Sequence, residues 1–141
     1  MKILFMCVAN SARSQLAEGL AKQLFGDKAE IKSAGSQPTK VNPFAIRALR
    51  EVGADSKALF SKSVADLPRA FVDQLDYVIT LCAEEVCPII ISKAKKLHWP
   101  LHDPAGKEGT ADEQMVRIRK TRDQIRNKLE EFARELATQG V

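Results

Sequence analysis

At 141 residues, 45% hydrophobic and 28% charged, the chain is long enough to bury a core without staples from disulfides or metals. No apolar stretch approaches the roughly 20 residues of a membrane span, and the N-terminus lacks a signal-peptide cleavage pattern, so a cytoplasmic protein with no membrane partner is expected. The net charge of +4 is dispersed. From Lys107 onward acidic and basic residues alternate, and Lys93, Lys95 and Lys96 form only a small solvated cluster, which argues against a nucleic-acid partner.

In chain order, Ile3, Leu4 and Phe5 read as a buried strand. Cys7 follows, with five residues between it and Arg13. A helical pattern then begins at once, with Leu16, Ala17, Leu20, Ala21 and Leu24 recurring on one face. A strand that passes through a small-residue loop into a helix turns several backbone amides toward one spot and makes an anion nest. Val8, Ala9, Asn10, Ser11, Ala12, Arg13 and Ser14 are its candidate residues, and the Arg13 fork suits two oxygens of a tetrahedral oxyanion. Cys7 sits where that field favours its thiolate and holds an oxyanion against it. Ser14 is a candidate donor to the sulfur and a candidate helix N-cap. The plain alternative is a core cysteine at a strand end. Neither GxxxxGK[ST] nor GxGxxG is present.

Gly26 and Asp27 end the first helix, and AEIKSAG reads as a strand with Ile31 inward. A turn-rich loop from Gly35 to Val41 precedes a second helix, with Asn42 as its cap, Pro43 at its first position and Gly53 just past its end. Its apolar side is Phe44, Ile46, Ala48, Leu49 and Val52. Ser63 is expected to cap a short helix, VADLPRAFV, that Pro68 weakens. Leu75 to Leu81 reads as a central strand, and Lys95 to Trp99 as another, with Ile89 to Ile91 a buried connection between them. Pro100 to Gly109 is expected to be a loop. Thr110 and Glu113 then form a capping box for a long helix, whose Ile118, Ile125, Leu129, Phe132 and Leu136 make one stripe. This alternation predicts an α/β fold, a parallel sheet covered on both faces, with the ligand site beyond the carboxyl ends of the strands.

Cys7 and Cys82 both fall at such ends, and the odd count of three cysteines favours chemistry over a structural framework. If the first and third strands are neighbours, the two thiols can meet. The working hypothesis is a relay: Cys7 attacks a bound oxyanion, Cys82 attacks Cys7, and Cys87 attacks Cys82 to leave a Cys82–Cys87 disulfide. Residues five apart on a helix lie about 8 Å apart, beyond disulfide reach, so the segment between Cys82 and Cys87 must be a loop or must unwind. The alternative is two unrelated core cysteines. Asp103 is the candidate proton donor or acceptor, against a plain reading as a turn aspartate before a proline. His98 and His102 read as packing or surface residues, Trp99 as core or loop cover, and Arg117 and Arg119 as solvent-facing. The two histidines form no metal motif, so no metal is expected.

The segments CVANSARSQLAEG, SAG, VNPFAIRAL, VITLC with its second downstream cysteine, and LHWPLHDPAGKEG together resemble the thioredoxin-coupled arsenate reductases, which share the fold of low-molecular-weight protein tyrosine phosphatases. The resemblance implies one three-layer α/β/α domain over residues 1–141, with a four-stranded parallel sheet in the order 2-1-3-4. It implies Cys7 as the nucleophile on arsenate, Arg13 and the loop amides as the arsenate site, Cys82 as the thiol that displaces arsenite, and Cys87 as the resolving thiol. Asp103 would be the general acid and Asn10 would shape the loop. Reducing equivalents would come from thioredoxin, or another dithiol reductant, with no bound cofactor and a monomeric enzyme. Many relatives carry a cysteine where this chain has Ala12. Some hold a potassium ion beside the loop with an asparagine, a serine and two acids; Asn10, Glu18 and Ser33 match three of these, and Lys62 stands at the fourth, where its ammonium would sit in place of the cation.

Two other readings remain open at the level of sequence. A low-molecular-weight phosphotyrosine phosphatase would need only Cys7, Arg13 and Asp103, although Ala105 and Gly106 follow the DP pair where aromatic residues would grip a substrate ring. A non-catalytic oxyanion or redox sensor would bind arsenate without turnover.

Overall fold

The computed structural model describes residues 1–83, 90, 92–105 and 108–139. Four strands, β1 (Lys2–Cys7), β2 (Glu30–Gly35), β3 (Tyr77–Cys82) and β4 (Lys95–Leu101), form one sheet in the order β2-β1-β3-β4. Every pairing is parallel. β1, central and apolar, is buried from Ile3 to Cys7, as a strand covered on both faces must be. Its register runs Cys7 to Gly35 on one side and Met6 to Thr80 on the other. This is the topology anticipated from the sequence, and it gathers the ends of β1, β2 and β3 on one side of the molecule.

Among the described residues, four helices accompany the sheet: α1 (Arg13–Phe25), α2 (Pro43–Glu51), α3 (Arg69–Asp73) and α4 (Ala111–Thr138). The Asn42 cap is as expected, its side chain accepting from the Phe44 amide at 2.8 Å. The Thr110–Glu113 capping box is also present, with both bonds formed. Several boundaries differ from the expectation. Ser14 is not the cap of α1; the N-cap is Ala12, without a side-chain bond, because the loop spends its hydroxyls on the site. The expected helix VADLPRAFV is two pieces. Ser63 and Asp66 cap a single 3₁₀ turn at Val64–Asp66, the chain extends through Leu67 and Pro68, and α3 starts only afterward. β4 continues through Pro100 to Leu101, where a loop was expected. Proline is tolerated there because β4 is an edge strand. Ile89 and Ile91 lie outside the described residues.

The sheet's two faces carry separate cores. Ile3, Phe5, Ile79 and Leu81 point to one side and pack with α1, α2 and α4 in the larger core. Leu4, Met6, Ala34 and Val78 point to the other and cluster, among the described buried residues, with Leu67, Phe71, Leu75 and Ala94. Trp99 belongs to the larger core, stacked edge-on against Phe132, which also meets Phe25 and Tyr77. On α1 the apolar stripe is broken at Leu24, which is 44% exposed, whereas Phe25 is buried. On α2, Ala45 is buried where Ile46 was expected. Arg119 does not simply face solvent. It grips Glu51 of α2 with two bonds of 2.9 and 2.7 Å, while the buried Arg122 reaches the same carboxylate at 2.9 Å and the Ala48 carbonyl at 3.1 Å. The Arg119 hydrogen bond is the main reason that the Glu51 carboxyl is held down to about 2.

Candidate active site

The loop after β1 is held by its carbonyls. Val8 O accepts from the Gln37 amide at 2.9 Å, and Ala9 O from the Thr39 amide at 3.2 Å and the Ser61 hydroxyl at 3.1 Å. Asn10 O accepts from the Gln15 side chain at 3.0 Å, Ser11 O from the Asn42 amide at 3.0 Å, and Ala12 O from the Leu16 amide at 2.8 Å. In a trans peptide the carbonyl and the next N–H point in opposite directions. Five carbonyls turned into the surrounding chain therefore turn the amides of Ala9, Asn10, Ser11, Ala12 and Arg13 the other way. Among the described residues, the Ala9 to Ala12 amides donate to no acceptor of the protein. That is an anion nest ahead of a helix N-terminus. Asn10 makes the corner with φ of 48°, and Gly35 makes room for it: a Cβ there would lie 2.3 Å from Val8 O.

Cys7 is a free, buried thiol with its sulfur 2.9 Å from the Ser14 hydroxyl. The direction of that bond follows from its neighbours. Asn10 Nδ2 donates to Ser14 Oγ at 2.7 Å and to Ser33 Oγ at 3.0 Å, and Ser33 donates to Glu18 Oε1 at 2.6 Å. Ser14 already accepts, so its hydrogen is directed to Cys7 Sγ, the remaining acceptor. The chain of bonds ends on charge. Lys62, buried, places its ammonium 3.3 Å from Glu18 Oε1, 3.1 Å from Phe60 O and 4.5 Å from the centre of the Phe60 ring. Burial lowers the Lys62 pKa, and Glu18 opposes that shift. Lys22 holds the other Glu18 oxygen at 2.7 Å. The Asn10, Glu18 and Ser33 cluster thus has a resident ammonium among its oxygens and does not fit a metal cation. Among the described residues no group of three or more His, Cys, Asp or Glu side chains is placed to hold a metal ion.

Arg13 is buried and ties the loop to β4. Its Nη1 donates to Leu101 O at 3.0 Å, and its Nη2 lies 4.0 Å from Asp103 Oδ2. Leu101 is also the register partner of Cys82, because the β3–β4 pairing slips by one residue beyond Thr80. The slip falls between His98 and Leu101, a stretch that includes Pro100, which has no N–H for the ladder. Asp103 is half-exposed, with Oδ1 accepting the Ala105 amide at 2.9 Å in an Asx turn. Cys82 is buried and disulfide-bonded. Continuing the β1–β3 register by one residue sets Leu81 opposite Cys7, so Cys82 lies one step farther along. The two-residue period puts it with Val78, toward the smaller core. Cys7 faces α1 instead. The structure therefore brings Cys7, Asn10, Arg13 and Ser14 together, sets Asp103 at the rim and seats Cys82 on the adjacent strand end. Cys87 lies outside the described residues.

His98 bonds Thr80 at 2.7 Å on the exposed side of the sheet, and His102 is exposed. Three contributors were not legible as site residues: Gly35, Gln15 and Ser61. Gly35 and Ser61 act on the loop from distant stretches, whereas Gln15 acts from the next turn through its side chain; only Gly35, ending a strand beside the loop, carried a sequence signal.

A family model for low molecular weight phosphotyrosine protein phosphatases matches residues 2–141. An arsenate reductase of Bacillus subtilis (strain 168) is 40% identical over 134 residues, covering 93% of this chain and 94% of the relative. A solved arsenate reductase in a phosphate-binding state superposes with a TM-score of 0.72 at 29% identity, covering 95% of this chain and 97% of its own. The thioredoxin-dependent arsenate reductase of Corynebacterium glutamicum gives a TM-score of 0.74 at 28% identity, covering 98% of this chain and 62% of the longer one. With its pinned anion loop and its parallel sheet, the chain belongs to the low molecular weight phosphotyrosine protein phosphatase family, alongside the arsenate reductases within it.

Proposed function

We propose that this protein reduces arsenate to arsenite with its three cysteines and is recycled by thioredoxin. The observation that carries the reading is the pairing of a free Cys7 in an anion nest with a second, disulfide-bonded cysteine at the end of the neighbouring strand. A phosphatase has no use for the latter. The loop amides and Arg13 hold the oxyanion, and the Cys7 thiolate forms a sulfur–arsenic bond as one arsenate oxygen leaves as water, protonated by Asp103. Cys82 then attacks Cys7 Sγ. The sulfur–arsenic electron pair passes to arsenic, which leaves as arsenite, and a Cys7–Cys82 disulfide forms. Cys87 attacks Cys82, releasing the Cys7 thiolate and leaving a Cys82–Cys87 disulfide that the thioredoxin dithiol reduces. A free Cys7 beside an oxidised Cys82 is the arrangement expected at the end of that sequence. The test is NADPH oxidation with arsenate, thioredoxin and thioredoxin reductase. Arsenate-dependent oxidation is expected, and its absence in the intact protein would sink the reading.

One observation favours a second activity at the same loop. A cavity of about 170 Å³ opens beside Asp103, lined also by His102, Pro104, Arg117 and Lys120, where the organic part of a phosphomonoester has room. Slow hydrolysis of p-nitrophenyl phosphate is expected, dependent on Cys7 and independent of thioredoxin.

A further inference from the structure

Each carbonyl of the anion loop is turned outward by a partner, and at four of the five that partner includes a backbone amide. Asn10 O is the exception: its only partner among the described residues is the side chain of Gln15. We propose that Gln15 is a positioning residue for oxyanion binding, the pin that keeps the Asn10–Ser11 peptide from turning its carbonyl into the nest. The inference rests on the reading of this loop as the oxyanion site.

Gln15 is fully buried in the first turn of α1. Its Nε2 lies 3.0 Å from Asn10 O, 2.9 Å from Asn10 Oδ1 and 2.9 Å from Phe60 O. Its Oε1 is buried with no hydrogen-bond partner among the described residues. The side chain is thus used purely as a donor, at the cost of an orphaned acceptor, a cost that packing alone would remove by placing an apolar residue there. The amide serves two ends. Gripping Asn10 O directs the Ser11 N–H toward the bound anion. Gripping Asn10 Oδ1, together with the Lys62 amide at 2.9 Å, fixes which way the Asn10 side chain faces, so that its Nδ2 meets Ser14 and Ser33. Asn10 sits at φ of 48°, a conformation that a non-glycine residue leaves readily once its restraints are gone. Without Gln15 a flip of one peptide replaces a donor in the nest with an acceptor aimed at the anion.

The experiment is titration of inorganic phosphate and of arsenate into the full chain by calorimetry, in a Cys7→Ser background so that no chemistry follows binding. Gln15→Met keeps the length and removes the donors; Gln15→Glu keeps the shape and replaces donors with acceptors. Both are expected to weaken both anions by about tenfold or more, Glu most, with thermal melting showing a folded protein. With Cys7 present, the arsenate KM should rise by the same factor while the maximal thioredoxin-dependent rate changes little. Affinity within twofold of the parent for folded Gln15→Met overturns the proposal, as does a fall in maximal rate with an unchanged KM. If Glu unfolds the chain, Met alone decides; if Met does too, Gln15 is a structural residue and the proposal fails. Should the parent bind neither anion, the oxyanion reading of the loop falls, and this inference with it.

Discussion

The described residues cover the two faces of the sheet unequally, and the site is divided between those faces. One face lies under α1, α2 and the 28 residues of α4, with the aromatic cluster around Phe132 at its centre. Among the described residues, the other is covered by a 3₁₀ turn and the five residues of α3. Cys7 turns toward the thick face, where Ser14, Asn10 and Glu18 are locked into one network. Cys82, by the pleat of β3, turns toward the thin one. An anion nest needs fixed amides, since its stabilisation comes from donors already in place. The proposed thiol relay asks for the opposite: in it, Cys82 has to come within bonding reach of Cys7 Sγ across the strand end. If the relay operates, setting Cys82 on the face with the smaller described core would separate the two demands.

The sharpest way to break this comparison is to remove one thiol from each face. Cys7→Ser is expected to abolish both arsenate reduction and p-nitrophenyl phosphate hydrolysis. Cys82→Ser should abolish thioredoxin-coupled reduction and leave the phosphatase reaction in place. Full reductase turnover by Cys82→Ser would mean that the thin-face cysteine takes no part.

A second change attacks the nest without touching a reactive group. Gly35→Ala puts a methyl carbon 2.3 Å from Val8 O, a backbone atom that is itself held by Gln37. The loop must shift, and a displacement of that size at a reacting centre costs on the order of a hundredfold in kcat/KM. Steady-state kinetics on arsenate measure it; wild-type values would show that the nest is not rigid.

How much of this was legible beforehand follows the same division. β1, its cysteine-to-arginine loop and α1 were readable because apolar runs and helical spacing are local signals, and the strand order followed from the family resemblance. Asn42 and the Thr110–Glu113 box were read from caps alone. What was missed is non-local. Ser14 keeps its expected contact with the sulfur but not its expected place as the cap, because its hydroxyl belongs to a network that runs through Asn10 to Ser33 on a distant strand. Pro100 reads as a loop residue until β4 is known to be an edge. The meeting of Cys7 and Cys82 was inferred from neighbouring strands, but one residue of register decides which face each thiol takes, and no local pattern encodes register.

Core truncations compare the faces directly. Phe132→Ala, in contact with Phe25, Tyr77 and Trp99, is expected to cost about 3–5 kcal/mol, since those rings leave the site little room to collapse. Phe71 belongs to α3 itself, a single five-residue helix that can settle toward the sheet in Phe71→Ala, so a smaller loss is expected from urea unfolding of the two variants. Equal losses would argue that the thin face is as firmly packed as the thick one.

The smallest effect lies on the outer side of the thick face, where Glu51 joins α2 to α4 through Arg119 and Arg122. Its carboxyl is held down from 4.5 to about 2, chiefly by the Arg119 hydrogen bond. A carboxylate depressed in the folded state stabilises the fold above its ordinary pKa and loses that contribution as pH falls through the folded value. Glu51 is one-third exposed, so water and salt screen the pair and the effect is modest. Glu51→Gln should therefore melt slightly below wild type at neutral pH, and the gap should narrow between pH 4.5 and about 2. Added salt should narrow it too. A gap that persists unchanged at the acid end would mean that the glutamate acts by packing α2 on α4 and not through its charge, and the firmness of the thick face would then owe nothing to this ion pair.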